Sequence, residues 1–153
     1  MANTYHQLYV QSVFAVKYRA SVIKPEWRSK FCGVIGNLIN ETGCKNYIVN
    51  GVEDHVHCFF SLQPSLAISD VMQKIKSNSS RWVNKQSFMK NRFEWQSGFG
   101  AFSYSRSHVN NVYKYILNQE AHHKKKTFKV EYLELLKRFE VEYDEKYLFH
   151  DLI

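Results

Sequence analysis

The stretch Cys44-Lys-Asn-Tyr-Ile-Val-Asn-Gly51-Val-Glu-Asp-His55-Val-His57-Cys-Phe-Phe-Ser-Leu62 decides the fold. It reads as two strands, about Cys44 to Asn50 and His55 to Leu62, joined by a turn over Gly51 to Asp54. On the second of these strands His55 and His57 are two residues apart and share a face, while Val56, Cys58 and Phe60 share the other. A strand inside a sheet ordinarily carries apolar residues at both positions. Two imidazoles side by side on a rigid pleat suit a divalent cation and leave coordination sites open for other groups. The competing reading is a pair of ordinary, satisfied surface histidines, and the two residues alone leave both readings open.

Working outward, His6 to Arg19 alternates, with Leu8, Val10, Phe14 and Val16 on one side, and reads as a long first strand. Pro25 suits the first turn of a helix. Trp27, Phe31, Val34, Ile35, Leu38 and Ile39 follow at helical spacing, and Gly43 ends the run. Downstream, Ser69 reads as the N-cap of a helix carrying Val71, Met72, Ile75, Trp82 and Val83. Gly98 to Ser105 is a short aromatic fourth strand. Ser107 reads as the cap of a helix reaching about His122, and a final helix lies near Val130 to Phe139. The order β-α-β-β-α-β-α is that of an α+β, ferredoxin-like split βαβ sandwich, an antiparallel sheet with helices on one face plus a C-terminal helix.

The helix after Ser107 carries the second chemical signal. At about 100° per residue, His108, Asn111, Asn118, Gln119 and His122 fall within roughly 60° of Tyr115, and Tyr113 lies nearly opposite, toward the core. A solvated helix face bearing a tyrosine is the reading that periodicity favours. A phenol is a weak nucleophile because its pKa is about 10. A cation that neutralises charge on a phosphodiester makes it useful, and two histidines, a glutamine and a tyrosine then suffice for phosphoryl transfer.

Composition narrows the classes. At 153 residues with six glycines and two prolines, residues 1–153 form one expected domain, with the tyrosine helix and a basic tail from about residue 107. Hydrophobic residues at 44% exclude disorder, and no apolar run is long enough to cross a membrane. Cys32, Cys44 and Cys58 form no CxxC pair, so the expected setting is reducing and cytoplasmic. Lys plus Arg number 21 against 14 acidic residues, a net charge of +7, which attracts polyanions. Ten Tyr, eleven Phe and three Trp suit stacking of unpaired bases, although most serve the core. Lys74, Lys76, Arg81, Lys85 and Arg106 are candidate phosphate contacts, with Trp82 or Tyr104 as stacking groups.

Gly51-Val-Glu-Asp-His55-Val-His57 resembles the strand motif of HUH endonucleases. Tyr115-Ile-Leu-Asn-Gln119, followed by His122-His123-Lys124, resembles the tyrosine helix of the single-tyrosine HUH transposases of IS200/IS605-like insertion sequences. Lys17-Tyr18-Arg19 and the run from Phe93 to Phe102 fit the same family, and the likeness covers nearly the whole chain. The resemblance implies metal-dependent cleavage and rejoining of single-stranded DNA through a 5′-phosphotyrosine. It makes Tyr115 the nucleophile, His55, His57 and Gln119 the ligands of Mg²⁺ or Mn²⁺, and hairpin-bearing element ends the substrate. It also implies a homodimer whose composite sites take the histidines from one subunit and the tyrosine from the other. Imidazole ligands favour Mn²⁺ over Mg²⁺. A non-catalytic single-strand binder derived from such a transposase is the alternative. A zinc hydrolase on the His pair ranks last because no further His or carboxylate falls at matched spacing.

Overall fold

The computed structural model describes residues 4–144. The expected single domain also includes residues 1–3 and 145–153, which lie outside the described residues. Four strands form one sheet, β1 (Tyr9–Ala15), β2 (Lys45–Gly51), β3 (His55–Ser61) and β4 (Gly100–Tyr104), in the order β2-β3-β1-β4. All three pairings are antiparallel. Helices α1 (Pro25–Glu41) and α2 (Ile68–Lys85) make the two crossovers, and α3 (Val109–Leu117), α4 (Gln119–Lys125) and α5 (Phe128–Arg138) follow β4. This is the split βαβ arrangement that the element order predicts.

Alternation on the two central strands divides the sheet into two unlike faces. Phe14, Val16, Val56, Cys58 and Phe60 point to α1 and α2. There they join Phe31, Ile35, Met72, Ile75 and Val83 in one apolar core. Gln11, Val13, Ala15, His55, His57 and Phe59 occupy the other face. Val13 and Ala15 meet Phe128, Leu135 and Leu136 of α5, while Phe59 meets Val109, Val112 and Ile116 of α3. The C-terminal helices therefore close the second face. Both central strands are buried on both sides, which makes β3 a continuous buried run.

Two close approaches depend on glycine. A Cβ at Gly100 would lie 2.7 Å from Cε1 of Tyr132, so its absence lets α5 rest on β4. A Cβ at Gly51 would lie 2.5 Å from the His55 carbonyl oxygen, so the tight entry into β3 needs glycine there.

Several local expectations are corrected. β1 is shorter than His6 to Arg19, because Lys17–Arg19 form a 3-10 turn with Tyr18 at φ 61°, and Leu8 is exposed. The N-cap of α2 is Ala67, and Ser69 lies inside the helix. Ser107 belongs to a 3-10 turn, with His108 at the N-cap of α3. The helix expected to reach His122 breaks at Asn118 (φ −97°, ψ 22°) and resumes as α4. Tyr113 is 41% exposed rather than core, since α3 packs through Val109, Val112 and Ile116. The last helix starts earlier than expected, and the Thr127 side chain caps it by accepting from the Val130 N–H.

Candidate active site

His55 and His57 project from β3 on the face covered by α3 and α5, and both are buried. Their ring centroids lie 5.2 Å apart. Each ring is held from behind by a second group. Nδ1 of His55 lies 2.7 Å from Asp54 Oδ1, and Nδ1 of His57 lies 2.8 Å from Gln11 Nε2. Gln11 is on β1, where the register sets Val13 opposite His57 and makes Gln11 its diagonal neighbour. Asp54 is a partner of the kind that fixes ring orientation in metal-binding histidines.

The Nε2 atoms of both rings point at one carboxylate, Glu131 of α5. Glu131 Oε1 lies 3.0 Å from His57 Nε2 and 3.2 Å from His55 Nε2. His55, His57 and Glu131 are close enough together for one cation to bind all three. Sequence reasoning missed Glu131 because 74 positions separate it from His57. No spacing rule connects a strand to a helix that returns over it. The absence of a carboxylate, which ranked the zinc hydrolase last, is corrected by this side chain.

Tyr115 reaches the same carboxylate from α3. Its hydroxyl donates to Glu131 Oε2, and its ring centroid lies 5.9 Å from that of His57. Gln119, at the first turn of α4, is fully buried, and its Nε2 donates to Glu131 Oε2 at 3.3 Å. His122 packs against Tyr115 with centroids 4.8 Å apart. The structure thus brings together His55, His57, Tyr115 and Gln119 within one chain and adds Glu131 among them.

Electrostatics follow from this packing. Burial alone would lower His55, but the Asp54 and Glu131 carboxylates outweigh it and push the imidazole up to about 9. Burial lowers His57 below its ordinary value, against the pull of the Glu131 carboxylate. Burial opposes ionisation of Glu131, yet the two imidazoles hold it far below the usual carboxylate range. Burial and then the Glu131 charge push the Tyr115 phenol well above its ordinary value.

The site fits a divalent cation on its own chemistry. One buried acceptor of the site, Gln119 Oε1, has no hydrogen-bond partner. An unpaired buried acceptor is costly, and a cation would satisfy it. The donor set of two imidazoles and a carboxylate, with an amide oxygen beside them, is one that transition metals and Mn²⁺ accept. Asp54, His55 and His123 form a second grouping that shares His55. There the His55 ring is already engaged by Asp54, and His123 Nε2 lies 2.9 Å from Glu53.

The candidate DNA contacts separate. Lys74, Arg81 and Lys85 are exposed on α2, across the sheet from Tyr115. Lys76 gives its ammonium to the carbonyls of Gln96 and Gly98, each at 2.7 Å, and burial lowers it to about 8. Trp82 is half-buried and stacks on Phe31 at the margin of the core. Tyr104 and exposed Arg106 lie on the side of Tyr115, and the Tyr104 hydroxyl donates to Gln11 Oε1 at 2.7 Å. Among the described residues, no helix is long and apolar enough to cross a membrane.

The site sets a histidine pair on a central strand against a helix-borne tyrosine, with a buried carboxylate between them. The sequence matches the family "Transposase IS200 like" over residues 4–119, and the chain belongs to that family. No curated protein is significantly similar in sequence. Among solved structures, a candidate transposase of Deinococcus radiodurans R1 superposes with a TM-score of 0.59 at 20% identity, over 76% of this chain and 94% of that one. A REP-associated tyrosine transposase bound to a REP hairpin gives 0.58 at 14% identity, over 80% and 74%. Both likenesses support the α+β fold. Glu131 and the rest of α5 lie beyond the segment that the family match covers.

Proposed function

We infer that this transposase cleaves and rejoins single-stranded DNA with Tyr115 as nucleophile and Mg²⁺ or Mn²⁺ at His55, His57 and Glu131. Gln119 Oε1 is a further donor. The observation that carries the reading is convergence: the Tyr115 hydroxyl and both imidazoles address one carboxylate. The cation, when bound, neutralises charge on the scissile phosphate. Tyr115 attacks as the P–O3′ bond breaks, leaving a 5′-phosphotyrosine and a 3′-hydroxyl, and the reverse attack rejoins a strand without ATP. At neutral pH the phenol is protonated, so its proton has to leave during the attack rather than before it. Glu131 Oε2 already accepts that O–H and orients the phenol, but it is held too far below its usual range to be the base, so the proton passes on to solvent.

The solved hairpin complex of a structural relative supports hairpin-bearing single strands as the substrate class here. Arg106, Arg138 and Lys114 lie on the helices and turn of the active-site face and are the nearer candidates for phosphates. The tyrosine and the histidines of the same chain meet directly, so catalysis in cis is favoured over the composite homodimer sites that the resemblance implies.

The test incubates the protein with labelled single-stranded element ends, with and without Mn²⁺, and resolves the products on denaturing gels. A protein–DNA adduct is expected with Mn²⁺ and single strands, absent with duplex and absent in Tyr115→Phe, which still binds the oligonucleotide. Binding without any adduct in the wild type overturns this reading in favour of a non-catalytic single-strand binder.

A further inference from the structure

A buried hydrogen-bonded chain runs from His57 to a cavity beside Tyr115. Gln11 is 1% exposed. Its Nε2 lies 2.8 Å from His57 Nδ1, and its Oε1 accepts from the Tyr104 hydroxyl at 2.7 Å. On the far side of the ring, His57 Nε2 lies 3.0 Å from Glu131 Oε1. These contacts set a polarity. The Gln11 amide donates to a bare Nδ1, so the proton of the neutral imidazole sits on Nε2 and points at the carboxylate.

In that tautomer Nε2 has no lone pair to offer a cation. For Nε2 to become a ligand, the ring proton must sit on Nδ1. One proton leaves Nε2 for solvent and another reaches Nδ1, with no net change in charge. Gln11 then has to present its oxygen to Nδ1, which a half-turn of the amide achieves. The half-turn brings the Gln11 NH₂ to the Tyr104 oxygen. Tyr104, now accepting from Gln11, can no longer donate to it, and its O–H turns elsewhere. Glutamine suits this role because one planar group carries both a donor and an acceptor.

The released O–H has a destination. Tyr104 and Gln11 line a cavity of about 230 Å³ together with Tyr115, His108, Asn111 and Arg138. An amide, an imidazole and a guanidinium around the reacting phenol suit a phosphate oxygen of a DNA strand. We propose that Gln11 and Tyr104 form a polarity switch, in which ligation at His57 reverses both hydrogen bonds and presents the Tyr104 O–H to the strand beside Tyr115. The switch makes Gln11 a positioning residue and couples metal occupancy to DNA affinity. It rests on the metal reading of the site given above.

The experiment has three arms. Long-range ¹H–¹⁵N spectra of the metal-free protein should show His57 protonated at Nε2, changing to Nδ1 on addition of diamagnetic Zn²⁺. Calorimetry with Mn²⁺ should show Gln11→Leu binding about 10–100-fold more weakly, the usual cost of losing such a partner. Gln11→Glu and Tyr104→Phe should keep Mn²⁺ affinity. In a Tyr115→Phe background, where no strand is cut, Mn²⁺ should tighten oligonucleotide binding about tenfold, the scale of one charge-assisted hydrogen bond. Tyr104→Phe or Gln11→Glu should remove the part of that gain that exceeds the cation's own contact with phosphate. An Nδ1–H tautomer in the metal-free protein, a Gln11→Leu variant binding Mn²⁺ like the wild type, or a full gain in Tyr104→Phe overturns the switch. Wild-type protein that binds no Mn²⁺ at all instead overturns the metal reading itself, so the two failures are told apart.

Discussion

The two faces of the central sheet are built by the same two strands and by opposite chemistry. Toward α1 and α2, β1 and β3 present Phe14, Val56, Cys58 and Phe60, and the contacts are apolar packing. Toward α3 and α5, alternate positions of those strands present Gln11, His55 and His57, each with a polar partner. The first face secures the fold through area removed from water, about 1.5–3 kcal/mol for each large side chain. The second buries ionisable groups, which is expensive unless every one is paired. A protein keeps such a face for chemistry, and the strand alternation lets it do so without weakening the layer beneath.

This contrast can be broken most severely from the apolar side. Phe60→Ala should cost about 3–5 kcal/mol through the lost burial and the cavity left behind. That corresponds to a fall in Tm of roughly 6–20 °C for a chain of this length. The Mn²⁺ affinity of the folded variant should stay at the wild-type value, measured by calorimetry below its Tm. His57→Ala, three positions earlier on the same strand and on its opposite face, should do the reverse. Mn²⁺ binding should weaken by more than about 100-fold, beyond the loss expected from a supporting partner alone.

The third expectation is a pH dependence. His55 is raised to about 9, so its protonated form contributes stability that is complete below the unfolded value near 6.5. That contribution is lost as pH rises through about 9. The metal-free protein should therefore lose on the order of 2 kcal/mol of stability between pH 6.5 and 9, read by denaturant titration. His55→Asn should flatten the profile. Mn²⁺ affinity should rise across the same window, because a ligating imidazole must be unprotonated. The smallest effect separates the cations. Arg106→Ala should reduce the salt slope of oligonucleotide binding by about one, and Lys74→Ala, across the sheet, should leave it unchanged.

Much of the fold was legible because it rests on local pattern. The period-2 run around His55 and His57, the helical spacing from Trp27 to Ile39 and the order of elements all survive in the structure. The shared face of the two histidines was legible for the same reason. The starts of α2 and α3 were not. Ser69 and Ser107 have the right side chains for caps, but tertiary packing places the first turns elsewhere. The break at Asn118 was hidden too, since an asparagine is compatible with either outcome. Gln119, at the first turn beyond it, is buried at the site. Glu131 and Gln11 were illegible because their roles arise from long-range packing. One comes from a helix folded back over the sheet and the other from a diagonal strand neighbour.

The central claim is that one chain completes the site. Mixing Tyr115→Phe with His57→Ala tests it most directly, by scoring the covalent DNA adduct with Mn²⁺ on a denaturing gel. Each variant alone and the mixture should give no adduct, because no molecule in the tube holds both groups. Recovery of the adduct in the mixture would show that the histidines of one subunit serve the tyrosine of another, and would contradict this account.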